Sequence, residues 1–150
     1  MEIQITYTAS PEPNAEPDLS LTVRTVKIPD MARYKLASRT VYAAYAELTG
    51  RSATEYGKPW KRTGEDGKEE TVDEEPAEAI QIIEMGLEWA EIQAAVKGGL
   101  PAPYNTLDGF MSEMPVDLFQ GLLNATRTAN PGVFWFGGDF EKKVKTSVRG

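Results

Sequence analysis

Proline and paired glycine divide this chain into pieces whose lengths leave few folds open. Ten prolines fall in 150 residues, and three of them crowd with Asn14 into residues 10–18. Proline lacks the amide that a ladder or helix needs, so that stretch is a loop. No proline interrupts the run from Asp30 to Lys58, which leaves room for one long helix. Gly98-Gly99 followed by Pro101 and Pro103 closes a second helix, and Asn130-Pro131-Gly132 closes a third.

The pieces have distinct periodicities. Residues 2–8 alternate, with Ile3, Ile5 and Tyr7 on one face and Gln4 and Thr6 on the other, which predicts a half-buried strand. Residues 19–28 are rich in β-branched side chains at period two, and predict a second strand antiparallel to the first across the long loop. A face switch near Val26 marks a bulge or the strand's end.

The first helix is expected to start at Asp30, whose carboxylate can cap the free amides, and to stop at Gly50 in the left-handed conformation. Tyr34, Ala37, Val41, Ala44 and Leu48 recur at helical spacing as its core stripe, widened by Met31 and Tyr45. Arg33, Lys35 and Arg39 then form a basic solvent side, and Tyr42 lies off the stripe. Ala37, Ala43, Ala44 and Ala46 permit close approach of another helix, within the fold more commonly than across a dimer seam.

Residues 51–72 leave two arrangements open. One is a hairpin, residues 60–63 against 69–72 around a Gly64–Gly67 turn; the other is a mobile loop, favoured by the eight acids between Glu65 and Glu78. Trp60 beside Lys58, Lys61 and Arg62 has the make-up of a nucleic-acid contact, but the acidic run that follows argues against it.

Asp73-Glu74-Glu75-Pro76 opens the second helix, with Asp73 or Glu74 as cap and Pro76 in the first turn. Ala79, Ile80, Ile83, Leu87, Ala90, Ile92 and Ala94, with Met85, Trp89 and Val96, give it apolar cover on more than one side. Glu78, Glu84, Glu88 and Glu91 are expected outward, as a solvated face rather than a metal site, because no histidine or matching acidic helix completes a coordination sphere. Asn105 or Thr106 caps a short helix or turn that Gly109 weakens. The last helix opens at residues 113–118, with Val116, Phe119, Leu122, Leu123 and residues 125–129 on its apolar side. Val133-Phe134-Trp135-Phe136 is either a plug closing the core or a contact for a partner, and residues 137–150 read as a flexible basic tail. The sum is an α+β single domain over residues 1–150: an N-terminal antiparallel strand pair packed on about three main helices, an acidic loop and a short aromatic C-terminal segment.

Composition narrows the chemistry. With no cysteine and no histidine there is no disulfide, no thiolate nucleophile, no Cys/His zinc site and no Ser-His or Cys-His pair. Phosphate-loop and nucleophile-elbow motifs are absent as well. A carboxylate-dependent hydrolase is a remote alternative, since no pair of acids stands out. The expectation is a protein that is not an enzyme and uses no cofactor or metal. The net charge of −7 disfavours direct nucleic-acid binding. It is unevenly spread: residues 21–62 carry a net +6 and residues 63–123 a net −12. No apolar run approaches the ~20 residues of a membrane span, and the start lacks a signal-peptide pattern, so a cytoplasmic protein is expected.

The run Trp89…Leu107-Asp108-Gly109-Phe110…Met114-Pro115-Val116-Asp117-Leu118-Phe119…Ala125…Ala129-Asn130-Pro131, in a small acidic chain with an N-terminal strand pair, resembles the tail assembly chaperones of long-tailed bacteriophages. The resemblance is one of layout and covers residues 19–131. It implies a non-enzymatic protein of the host-cell cytoplasm that coats the long helical tape measure protein, keeps its apolar stripes soluble and leaves as the tail tube polymerises. A groove for amphipathic helices needs adaptable apolar side chains rimmed by charge. Met85, Trp89, Phe110, Met111, Met114 and Phe119, with Phe134, Trp135 and Phe136, are the candidate partner contacts. A homo-oligomer is compatible with this reading. The rival reading is an acidic mimic of nucleic acid that blocks a host nuclease or polymerase, with Glu78, Glu84, Glu88 and Glu91 imitating phosphates. Salt separates the two, because mimicry weakens steeply with ionic strength and apolar capture does not.

Overall fold

The computed structural model describes residues 1–72 and 74–134. Strands β1 (Glu2–Tyr7) and β2 (Leu19–Arg24) pair antiparallel in the register Ile3↔Val23, Ile5↔Leu21 and Tyr7↔Leu19. Those three pairs share one apolar face, packed against the core, while Thr22 donates to Gln4 Oε1 at 3.1 Å on the opposite face. The far edge of β2 is partly occupied: Val23 bridges to Val96, and the Lys97 amide donates to the Thr22 carbonyl at 2.8 Å. The strand ends at Arg24, four residues short of the expected limit. Beyond it the Val26 amide, which would have extended the ladder, donates to Asn130 Oδ1 at 2.6 Å.

Helix α1 (Met31–Thr49) follows a short 3-10 turn and stops at Gly50, whose φ of 74° is the left-handed stop the sequence indicated. Its start differs from expectation. Asp30 has helical backbone angles and does not cap α1; its buried carboxylate accepts from the Lys27 amide (2.9 Å), Arg24 Nη2 (3.1 Å) and Arg33 Nη2 (3.0 Å). Arg33 is correspondingly not a solvent-side residue. Its guanidinium also donates to the carbonyls of Gln93, Ala94 and Val96, the free acceptors at the end of the next helix. The buried stripe of α1 is Ala37, Ser38, Val41 and Tyr45, with Leu48 left 43% exposed. Ser38 enters the core at little cost because its hydroxyl donates to the Tyr34 carbonyl at 2.8 Å.

For residues 51–72 the structure contains the hairpin. Strands β3 (Trp60–Thr63) and β4 (Glu69–Val72) pair from Trp60↔Val72 to Thr63↔Glu69, closed by hydrogen bonds from the Gly64 amide to the Lys68 carbonyl and from the Gly67 amide to the Gly64 carbonyl. It forms a second, separate sheet.

Helix α2 (Ala77–Ala95) runs through the centre, and ten of its residues are buried. Pro76 takes the cap position; Glu74 does not cap, and Asp73 lies outside the described residues. The helix ends at Ala95, before the glycine pair, because Val96 turns extended to bridge β2. Glu91 is not outward: it is 2% exposed and is held by Arg127. Helix α3 (Leu107–Glu113) is capped by Thr106, whose Oγ1 accepts from the Gly109 amide at 3.1 Å. Gly109 does not weaken this turn but permits it, since a Cβ there would drive into the Pro103 carbonyl. Helix α4 (Val116–Ala129) buries Leu118, Leu122, Ala125, Thr126 and Ala129 against the sheet and α2, leaving Val116 68% exposed.

The architecture is α+β: an N-terminal antiparallel strand pair packed against four helices. Asn130, just past α4, binds the chain leaving β2. It accepts from the Val26 amide and donates through Nδ2 to the carbonyls of Arg24 and Thr126, both at 3.0 Å. The expected aromatic segment is described only as far as Phe134; Trp135, Phe136 and residues 137–150 lie outside the described residues.

Candidate functional site

The apolar residues singled out from the sequence fall into two groups. The larger sits where α2, α3 and α4 meet. Trp89 of α2 and Phe110 of α3 are each 3% exposed, with ring centroids 6.3 Å apart. Trp89 satisfies its indole by donating to the Tyr104 carbonyl at 2.8 Å. Phe119 of α4 meets Phe110 edge-on at 5.4 Å. The Trp89 and Phe110 rings belong to the buried core and make a fixed wall, against which Phe119 packs from its half-buried position. Met85 stands one turn before Trp89 on α2, and Met111 and Met114 follow Phe110 through the corner into α4; all three, with Phe119, are half-buried against the core. Phe134 is elsewhere: its ring packs on Tyr34 of α1, centroids 5.1 Å apart. Burial pushes the Tyr34 phenol up to about 12, so it stays protonated near neutral pH.

Two polar assemblies border this apolar body, and neither was evident from local sequence. Across α2 and α4, Arg127 Nη2 lies 3.1 Å from Glu91 Oε2 and 3.3 Å from Glu88 Oε2. Burial pushes both carboxyls above the usual range, opposed by the Arg127 charge; Glu84 adds to the rise at Glu88. Arg127 and Glu88 edge an open cavity of about 370 Å³ that Tyr56, Ile83, Glu84 and Leu87 complete. At the start of α2, Glu75 Oε1 accepts from the Tyr45 hydroxyl (2.7 Å), Arg51 Nη2 (3.1 Å) and the Gly57 amide (3.1 Å). Its other oxygen is buried with no hydrogen-bond partner. Arg51 also donates to the Glu55 and Lys58 carbonyls, so this node ties the segment before the hairpin to the helical body. Burial is the largest cause raising the Tyr45 phenol, and the bond to Glu75 adds to it.

Among the described residues, no group of three or more carboxylates is arranged to hold a metal ion. No described helix is long and apolar enough to cross a membrane. The arrangement at the α2–α3–α4 corner can present flexible thioethers on a fixed aromatic base. No protein-family model matches the chain, and neither a curated protein nor a solved structure matches it significantly.

Proposed function

We propose that this chain is a non-enzymatic binding protein that shelters an amphipathic helix of another protein. Its likeness in layout to the tail assembly chaperones of long-tailed phages makes the tape measure protein the favoured client, met in the host-cell cytoplasm. One observation carries the reading: Met111, Met114 and Phe119 lie half-buried against a core that includes the Trp89 and Phe110 rings, with Phe119 edge-on to Phe110. Unbranched thioethers can re-seat against different apolar side chains, while the rings beneath them hold the surface in place. A helix docks on such a surface through residues at i, i+3, i+4 and i+7. Val116, 68% exposed at the first turn of α4, extends the apolar surface along the chain.

The acidic-mimic reading needs a rigid row of exposed carboxylates. Glu91 is in the core and Glu88 is engaged by Arg127, which removes two of the four acids that row would use.

Affinity capture of the tagged chain from its source lysate, washed at low and at high salt, tests the proposal. A long helix-rich protein should remain at high salt and be lost from a Met111→Glu/Met114→Glu variant whose melting is otherwise preserved. Capture of a nuclease or polymerase that washes away with salt would overturn it in favour of mimicry.

A further inference from the structure

Helices α1 and α4 both pack on α2, and a groove runs along α2 between them. At about 100° per residue, Ile80, Ile83, Glu84, Leu87, Glu88 and Glu91 share that side of α2. Ile80 is 36% exposed, and the cavity of about 370 Å³ between Tyr56 and Arg127 is floored by Ile83 and Leu87. Among the described residues, three carboxylates there stand against one guanidinium, that of Arg127. Glu84 is exposed one turn from Glu88; burial raises the Glu88 carboxyl, Arg127 opposes the rise and Glu84 adds to it. The groove therefore has an apolar floor and an unbalanced negative edge.

The described residues end at one mouth of this groove. Phe134 packs on Tyr34, which is near enough to Glu91 for that charge to add, after burial and Tyr42, to the rise of its phenol. The other mouth is marked by Tyr56, edge-on to Tyr45 with centroids 5.6 Å apart. From Tyr34 to Tyr45 along α1 is about 16 Å. Residues 135–150 begin with Trp135-Phe136 and carry Lys142, Lys143, Lys145 and Arg149. Between helical and extended backbone, the path from Phe134 to Lys142 spans about 12–26 Å, which brackets the length of the groove.

We propose that this groove is the docking site of the chain's own segment 135–145, with Trp135 and Phe136 over Ile83 and Leu87 and the lysines paired with Glu84 and Glu88. Phe134 on Tyr34 is the first contact of that seat. The order along the segment, rings and then lysines, brings the apolar part in beside Phe134 and the charge farther along. Tethering at Phe134 gives the segment an effective concentration of about the millimolar range. Modest contacts therefore suffice to hold it, and a foreign basic segment must compete against that advantage. Met85 and Trp89 lie on the other side of α2, so the seat does not depend on the proposed client.

Paramagnetic broadening of amide signals in the full chain tests it. The sequence has no cysteine, so Thr146→Cys places a nitroxide at one position. The Ile83, Glu84 and Leu87 amides should broaden selectively. In a mixture of nitroxide-bearing chain with isotope-labelled chain lacking the nitroxide, the broadening should vanish, because the contact is within one molecule. Glu84→Lys should cut it severalfold without changing the melting, since Glu84 is exposed. Adding Lys142→Glu and Lys143→Glu to Glu84→Lys should restore it. Broadening that survives in the mixture would assign the groove to a second copy, and broadening centred on Met111 and Met114 would move the segment to the client surface; either overturns the proposal. So would α2 amides that stay sharp, or broadening indifferent to Glu84→Lys.

Discussion

Gly86 of α2 and Val41 of α1 leave no room for a methyl group between them: a Cβ on Gly86 would lie 2.8 Å from Val41 Cγ1 and 2.9 Å from Cγ2. This close approach sets the spacing of the two longest helices. Val41 is fully buried, so it has little space into which to move.

An unhindered glycine-to-alanine change inside a helix gains about 1 kcal/mol. At Gly86 the sign should reverse, with Gly86→Ala losing about 1–3 kcal/mol through overpacking. Val41→Ala should also destabilise, by about 2 kcal/mol. In that background Gly86→Ala should become stabilising, because the added methyl then fills the vacated space. Urea denaturation of the wild type, both single variants and the double variant measures the coupling; simple additivity would rule out the contact as the cause.

Arg127→Ala should leave Glu91, 2% exposed, without its counter-charge. The expected cost is about 3 kcal/mol at neutral pH. The pH dependence has a definite sign. Glu91 and Glu88 hold their protons more tightly folded than unfolded, so their contribution is most favourable at and below the ordinary carboxyl range. It is lost as pH rises through the raised folded values. Glu91→Gln should therefore reduce the decline in stability on going from pH 4 to pH 7, read by thermal melting.

Asp30 behaves in the opposite sense. The Lys27 amide, aided by Arg24 and Arg33, holds its carboxyl below the usual value despite burial. Its contribution is present above the unfolded value and lost as pH falls through the depressed one. Asp30→Asn should cost about 2 kcal/mol at pH 7, where Arg24 and Arg33 lose their counter-charge. Well below pH 3 the two proteins should melt alike. A constant difference across that range would show that the charge is not responsible.

Asn130→Ala removes one accepted and two donated hydrogen bonds and should cost about 2–3 kcal/mol. Asn130→Asp is the sharper probe. It keeps the oxygen facing the Val26 amide but turns the donor toward Arg24 and Thr126 into another acceptor. It should be at least as damaging at pH 7 and partly relieved on acidification. Hydrogen exchange at the Val26 amide reports either change directly, and unchanged protection would contradict the assignment.

Elements set by local chemistry were legible before the structure. Alternation in β1 and β2, left-handed Gly50 and the Asn130-Pro131-Gly132 stop each depend on neighbouring residues. What escaped depends on distant partners. Asp30 and Asn130 are short polar residues at helix ends, where pattern suggests a cap or a stop; their side chains instead serve β2 and its exit. Glu91 shares helical spacing with exposed Glu84 and half-buried Glu88, and its partner is 36 positions away on α4. Arg33 looked like part of a basic face because the carbonyls it closes belong to another helix, some 60 positions on. At the candidate site, the identity of the apolar residues was readable but not their division into core and rim: Trp89 and Phe110 form the wall, whereas Met111, Met114 and Phe119 remain partly open.

The Asn130 latch has a consequence for how the molecule comes into being. Its bonds to Val26 and Arg24 close loops of 104 and 106 positions, and the apolar face of β1 and β2 rests on α4. On a ribosome adding roughly 5–20 residues each second, the first two strands wait about 5–20 s before their covering helix exists. During that interval the nascent strand pair carries an uncovered Ile3, Ile5, Leu21 and Val23 surface. The protein that is proposed to shelter another chain's apolar stripe must first, while it is being made, survive the exposure of its own.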